Sequence, residues 1–175
     1  MTIEGGKSFF WEGSYHEDLI GRDTVTTELN VLDGWVPVVP ENSKSAKYVM
    51  LGNLDPSFQM SVLDQISTRP DLVVLDTMNF WMDIAMESLM KVISKVDVLM
   101  INEEEVRQLT GLKALPLAAA AVHKMGPKTV VIKKGEHGAI MFEDGKTFFS
   151  PAMPLEKVVD PTGAGDTFAG GFIGY

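Results

Sequence analysis

The sequence predicts an α/β fold built on a mainly parallel sheet, and two patterns support this class. Residues 48–51, 72–75 and 96–101 form short, mostly continuous apolar runs, as parallel strands buried on both faces do. Helical patterns at 57–67 and 83–95 separate these runs. Strands that alternate with helices at this spacing predict a parallel sheet with right-handed crossovers.

The segments on either side of this central region have other patterns. Residues 23–31 alternate apolar and polar side chains, which predicts a half-exposed antiparallel ribbon together with a strand at 7–11. After the central runs, Asp144-Gly145 predicts a hairpin and therefore an antiparallel edge of the sheet. The remaining predicted elements are helices at 103–109 and 117–124 and strands at 129–133, 139–142 and 146–149.

Composition limits the classes of protein to which the chain can belong. Its 175 residues fit one domain, and its 45% apolar and 22% charged residues are typical of soluble globular proteins. The net charge of −9 argues against nonspecific binding of nucleic acid. The absence of cysteine fits a reducing cytosol, and no apolar run has the length of a signal peptide or membrane span. We therefore expect a cytoplasmic protein that binds neither nucleic acid nor membranes.

A glycine-rich turn near the C-terminus is the most informative motif. Residues 158–175 predict a short strand, a tight turn and a helix that begins near Gly165. Gly163 and Gly165 let the backbone approach a ligand, and the amides of a helix N-terminus attract anions. The spacing matches neither a Walker A loop nor the dinucleotide-binding motif. Asp166 directly follows this anion cradle, where a carboxylate is suited to accept a proton from an attacking alcohol.

A purely structural interpretation explains the same residues. Asp160 then caps the helix, Pro161 takes its first position, and Asp166 is a surface residue favoured by the helix dipole. The spacing alone leaves both interpretations open.

The run from Asp160 to Asp166, continuing through residues 167–171, resembles the C-terminal signature of the ribokinase (PfkB carbohydrate kinase) family. The resemblance implies that Asp166 is the catalytic base. The three residues before the base form an anion hole in this family, and here they are Gly163, Ala164 and Gly165.

The resemblance also implies two metal sites. In several family members the first aspartate of the signature and the residue before Gly-Ala-Gly help to bind a monovalent cation, which points to Asp160 and Thr162 and to K⁺. Asn102 and Glu105 resemble the family's Asn-x-x-Glu motif, whose residues organise water and Mg²⁺ around the phosphates. A capping box, with Asn102 before the helix and Glu105 three residues on, explains this pair as well.

The nucleotide side of the site is implied by a weaker pattern. Gly135 and Gly138, after a strand that ends in Lys133, resemble the family's Gly-x-x-Gly turn, so we assign all three residues to the nucleotide. A simple β-turn is the alternative. Residues 76–81 also follow a strand. Asn79 there has two interpretations, one in which it faces the phosphates or the substrate and one, which we expect, in which it satisfies the local backbone.

The implied fold is a ribokinase-like three-layer α/β/α sandwich with a mostly parallel sheet, an antiparallel edge and part of a β-lid. We expect residues 1–175 to form a single partial domain, with lid-like strands at about 7–36 and the nucleotide and phosphoryl-transfer part at about 47–175. The family's Gly-Gly sugar-binding segment and the elements that enclose adenine have no counterpart. We therefore expect a chain truncated at both ends, which alone is a poor kinase and self-associates, for example as a homo-oligomer.

The implied activity is phosphorylation of a hydroxyl on a sugar or similar small molecule, with ATP and Mg²⁺. The alternative is a noncatalytic fragment that binds nucleotide or phosphate, or forms part of an assembly.

Overall fold

The computed structural model describes residues 4–16 and 22–175. The chain divides into two compact units, residues 1–37 with 156–161 and residues 38–155 with 162–175. In the first unit, strands β1 (Phe10–Tyr15) and β2 (Arg22–Glu28) pair antiparallel. The predicted antiparallel ribbon is confirmed, although β1 begins at Phe10 rather than at residue 7.

The second unit contains a six-stranded sheet with its strands in sequential order. The strands are β3 (Tyr48–Leu51), β4 (Leu72–Asp76), β5 (Val98–Asn102), β6 (Thr129–Lys133), β7 (Ala139–Glu143) and β8 (Lys146–Ser150). The first four are parallel, and β7 and β8 form the predicted antiparallel edge. The continuous apolar runs thus occupy the buried central strands, as their composition indicates.

Six α-helices accompany this sheet in the part of the chain that the structure describes. They are α1 (Pro56–Gln65), α2 (Asn79–Ile84), α3 (Met86–Ile93), α4 (Glu103–Thr110), α5 (Leu115–His123) and α6 (Ala164–Gly174). None of the helices within the described residues is long and apolar enough to cross a membrane.

The single helix predicted at 83–95 is wrong, because the chain breaks into α2 and α3 at Ala85 (φ −140°, ψ 29°). Met82 and Leu89, on either side of the break, are both buried in the core. They lie seven residues apart, about two helical turns, so the apolar periodicity continues across the break and does not reveal it.

The sheet is covered on both faces. On the first face, α1 to α5 pack against a core that includes Val73, Leu75, Leu99, Ile101, Val130 and Ile132. On the second face, a smaller core contains Val74, Val98, Met100, Val131 and, from α6, Ala169. This arrangement has the three layers that the sequence predicts.

Helix α6 packs on the sheet through a small side chain. Ala169 is completely buried, whereas Thr167 and Gly170 of the same helix are exposed. Phe172 and Ile173 of α6 are partly buried against the same core, and the methyl group of Ala169 is the completely buried contact that limits how closely α6 approaches the strands.

The connection between β6 and β7 is a one-turn 3-10 helix, Gly135–His137, followed by Gly138 at φ 87°. A Cβ at Gly138 would overlap the carbonyl oxygen of Ser150 and would lie 2.8 Å from the backbone nitrogen of Ala152. Both the backbone conformation and the close packing of β8 therefore require glycine here.

We expect Ala169→Leu to lower the free energy of unfolding by about 1–3 kcal/mol, because the larger side chain overpacks the contact between α6 and the sheet. Urea denaturation measures the change. Thr167→Leu places the same side chain on the exposed side of α6 and should change stability by about 0.5 kcal/mol or less. Equal effects of the two changes would contradict this packing.

A second pair of substitutions tests Gly138. Gly145→Ala imposes only a left-handed backbone (φ 71°, with nothing within 4 Å of the added Cβ) and should cost about 1–2 kcal/mol. Gly138→Ala combines a positive φ (87°, with ψ −137°) with a steric overlap against Ser150 and should cost about 1–3 kcal/mol more. The comparison uses chemical denaturation of both variants, and similar losses would rule out the overlap.

Candidate active site

The carboxyl ends of three neighbouring strands bring polar side chains to one edge of the sheet. Asp76 ends β4, Asn102 ends β5 and Lys133 ends β6. Asp76 pairs in register with Met100, and Asn102 with Lys133. Because residues two apart share a face of a strand, all three side chains lie on the second face of the sheet, which α6 covers. Open α/β sheets bind their ligands at this carboxyl edge.

The glycine-rich turn lies at the same edge. A Cβ added to Gly165 would be 3.2 Å from Lys133 Nζ and 3.9 Å from Asp76 Oδ2. The first turn of α6 therefore contacts the side chains that end β4 and β6.

The turn itself depends on Gly163. This residue is the N-cap of α6 with a left-handed backbone (φ 78°, ψ 3°), and as a glycine it has no side chain of its own with which to cap the helix. The alternative in which Asp160 is the cap and Pro161 the first helical residue is wrong, because the left-handed turn at Gly163 starts the helix at Ala164. The first N–H groups of a helix have no partner within the helix itself, so those at the start of α6 suit an anionic ligand.

Asp166 lies in the first turn of α6, and it is exposed. Its carboxylate follows directly after the three small residues of the predicted anion hole, so the cradle and the candidate base occupy one helical turn. Its assignment as the base stays a prediction.

Asn102 and Glu105 form the predicted capping box of α4. Asn102 Oδ1 accepts the Glu105 N–H at 2.8 Å, and Glu105 Oε2 accepts the Asn102 N–H at 2.8 Å. Glu105 is only 4% exposed. The capping interpretation is therefore confirmed, while a role around Mg²⁺ stays a prediction.

Lys133 and Asp76 form an ion pair, with Nζ 2.8 Å from Oδ1. The side chains are 17% and 5% exposed, and Asp76 Oδ1 also accepts the N–H of Thr77 at 3.1 Å. Sequence reasoning missed Asp76. Its position directly after a buried apolar strand was the signal that pointed to it.

The other predicted residues have varied surroundings. Gly135 (φ 55°) and Gly138 belong to the 3-10 turn after β6, and the assignments of both glycines and of Lys133 to the nucleotide stay predictions. Asp160 belongs to the first compact unit and Thr162 to the second, and their monovalent cation also stays a prediction.

Asn79 differs from the expectation that it satisfies the local backbone. Its amide donates to Gln108 Oε1 at 3.0 Å, and the Gln108 amide in turn donates to Asp83 Oδ1 at 2.7 Å. These hydrogen bonds join α2 to α4 rather than reaching the turn of α6.

Residues 4–16 and 22–175 contain no group of three His, Asp or Glu side chains that could hold a metal ion by themselves. A divalent ion at this edge would thus need ligands from water or phosphate, which is the usual coordination of Mg²⁺ in phosphoryl-transfer sites.

Comparisons with known proteins agree with this geometry. A cytidine kinase of Thermococcus kodakarensis is 34% identical over 181 residues, which cover 100% of this chain and 64% of that protein. A ribokinase of Arabidopsis thaliana is 38% identical over 88 residues, which cover 47% of this chain and 23% of that protein. The chain thus spans less than two thirds of the length of these relatives.

Solved structures match the fold. The adenosine kinase of Sinorhizobium meliloti has a TM-score of 0.79 at 18% identity, covering 98% of this chain and 55% of its own. The ribokinase of Arabidopsis thaliana, complexed with ribose and ATP, has a TM-score of 0.72 at 24% identity, covering 96% of this chain and 56% of its own. These matches confirm the predicted ribokinase-like fold.

A family model matches most of the chain, since residues 44–174 fit the pfkB family of carbohydrate kinases. This range includes the whole six-stranded sheet and the turn before α6. The chain therefore belongs to the PfkB carbohydrate kinase family.

Proposed function

We propose that this chain carries the phosphoryl-transfer site of a kinase that moves the γ-phosphoryl group of ATP to a hydroxyl of a sugar or nucleoside. One observation carries the proposal: α6 begins at the carboxyl edge of the sheet, where the hypothetical Cβ of Gly165 lies 3.2 Å from Lys133 Nζ, and has Asp166 in its first turn. An anion cradle beside a carboxylate is what transfer to an alcohol needs, because the reaction requires charge stabilisation and removal of a proton.

In this proposal Asp166 accepts the proton of the acceptor hydroxyl while the hydroxyl oxygen forms a bond to the γ-phosphorus. The bond between that phosphorus and its bridging oxygen breaks, and ADP leaves with the electron pair. The backbone N–H groups of the turn, from Gly163, Ala164 and Gly165, donate to the oxygens of the transferred group. They are held by the start of a helix and need little reorganisation as negative charge develops.

Asn102 and Glu105 are the residues that would hold Mg²⁺, which when bound supplies positive charge to the phosphates. One oxygen of each already accepts a backbone N–H group at 2.8 Å. Because these oxygens already accept hydrogen bonds, the two residues suit an ion that is held through water molecules. The described residues contain no group of three protein ligands that could hold the ion directly.

The names of the relatives guide the choice of acceptor. Cytidine kinase matches along the whole of this chain, and ribokinase and adenosine kinase match parts of it. Cytidine, adenosine and ribose are therefore the first acceptors to test, with ATP as donor.

In the complete enzyme, we expect Asp166→Asn to lower turnover by roughly 10²–10⁴, the loss typical when a general base is removed. Nucleotide affinity should change little, because the backbone amides of the turn remain. ADP release measured with the acceptor panel gives turnover, and isothermal titration gives nucleotide affinity.

Asp144→Asn is the matched control. It makes the same change in the turn between β7 and β8, beside the amino ends of the parallel strands and so away from the candidate site. The left-handed backbone of Asp144 (φ 47°) also suits asparagine. Turnover of this control should equal that of the unaltered protein. Near-normal turnover of Asp166→Asn would remove Asp166 from the mechanism, and nucleotide binding without turnover by the unaltered protein would favour the noncatalytic alternative.

A further inference from the structure

The Lys133–Asp76 ion pair lies directly beneath the first turn of α6. We propose that these two side chains act as positioning residues, which set the place of the Gly163–Asp166 turn over the sheet and so align its amides for phosphoryl transfer. The catalytic part of this inference rests on the proposed function.

The pair is built on rigid elements. Asp76 ends β4 and Lys133 ends β6, and β5 lies between them in the sheet. The lysine side chain must therefore cross β5 to place Nζ 2.8 Å from Asp76 Oδ1. Oδ1 is also held by the N–H of Thr77. Both β4 and β6 are hydrogen-bonded to a neighbouring strand on each side, so the backbone at both ends of the ion pair is fixed.

Gly165 is the residue of the turn that lies against this ion pair, and it has no side chain. Gly165 faces it with its Cα hydrogen, and a methyl group there would lie 3.2 Å from Lys133 Nζ, closer than ordinary van der Waals contact. Gly165 is not among the residues with a positive φ, so its backbone does not demand glycine. The closeness of the ion pair is what makes glycine the residue that fits.

The carboxylate explains why the bridge needs both members. Asp76 is 4% exposed, and its Oδ2 would lie 3.9 Å from a Cβ at Gly165. A buried carboxylate next to an anion cradle is unfavourable unless a cation pairs with it. Lys133 supplies that cation and also fills the space under the turn.

A double-mutant cycle tests the contact without depending on activity. Its variants are Gly165→Ala, the pair-deleted variant Lys133→Ala/Asp76→Asn, and their combination. The pair-deleted variant leaves no unpaired charge, and the side-chain carbonyl oxygen of the introduced asparagine can still accept from Thr77, so we expect it to fold.

Gly165→Ala should destabilise the unaltered protein, because the methyl group displaces Lys133. In the pair-deleted variant the same change should be neutral or stabilising, because the space is open and alanine favours a helix more than glycine does. The two effects on the unfolding equilibrium constant should differ by at least about fivefold, as contacting residues do. Gly170→Ala, in the same helix with nothing within 4 Å, should show no such coupling.

Kinetics test the link to catalysis. The pair-deleted variant should lose at least about tenfold in kcat while its KM for nucleotide changes by less than about threefold, because displaced amides lose contacts made chiefly in the transition state. A larger rise in that KM would instead support the assignment of Lys133 to the nucleotide and would overturn the positioning role. The matched control is Arg69→Met/Asp97→Asn, which removes another 2.8 Å ion pair next to the amino end of β5. It should leave kcat unchanged.

The outcomes separate this inference from the proposed function. Absence of coupling between Gly165 and the pair would overturn the inference whatever the activity. A pair-deleted variant with normal kcat, in a protein that Asp166→Asn inactivates, would overturn the positioning role alone. Normal turnover by Asp166→Asn would instead overturn the proposed function.

Discussion

The parallel register of β4, β5 and β6 is the constraint on which the candidate site depends. Parallel strands bring their carboxyl ends to the same edge of a sheet, and the register of these three places Asp76, Asn102 and Lys133 on one face. Each residue is the last of a strand whose preceding side chains are buried in one of the two cores. A slip of one residue in any of these strands would turn its terminal side chain to the other face.

Helix α6 depends on this sheet both for its packing and for the position of its N-terminus. In the middle of the helix, the methyl group of Ala169 contacts the smaller core. In the first turn, the Cα hydrogen of Gly165 lies against the Lys133–Asp76 pair. Small residues at both points keep the helix close to the strands. The amides of the first turn are consequently positioned by the packing of the helix along its length and not by the turn alone.

Asn102 and Glu105 have an observed structural role and a proposed chemical one. The capping box holds the start of α4 at the carboxyl end of β5 through two hydrogen bonds of 2.8 Å. The same hydrogen bonds restrict the rotamers of two polar side chains near the turn of α6. The proposed role around Mg²⁺ through water molecules does not require these hydrogen bonds to break, so the capping interpretation and the proposed catalytic one are compatible.

The sequence by itself determined the parts of the protein whose signals are local. Apolar runs determined the buried strands, the Asp144-Gly145 pair determined the hairpin, and the signature at 160–166 determined the family. Only the tertiary structure decided the Lys133–Asp76 pair, because its members are 57 residues apart and neither has a local pattern that requires the other. The need for glycine at position 138 likewise comes from Ser150 in another strand, and the steric overlap exists only once β7 and β8 pair.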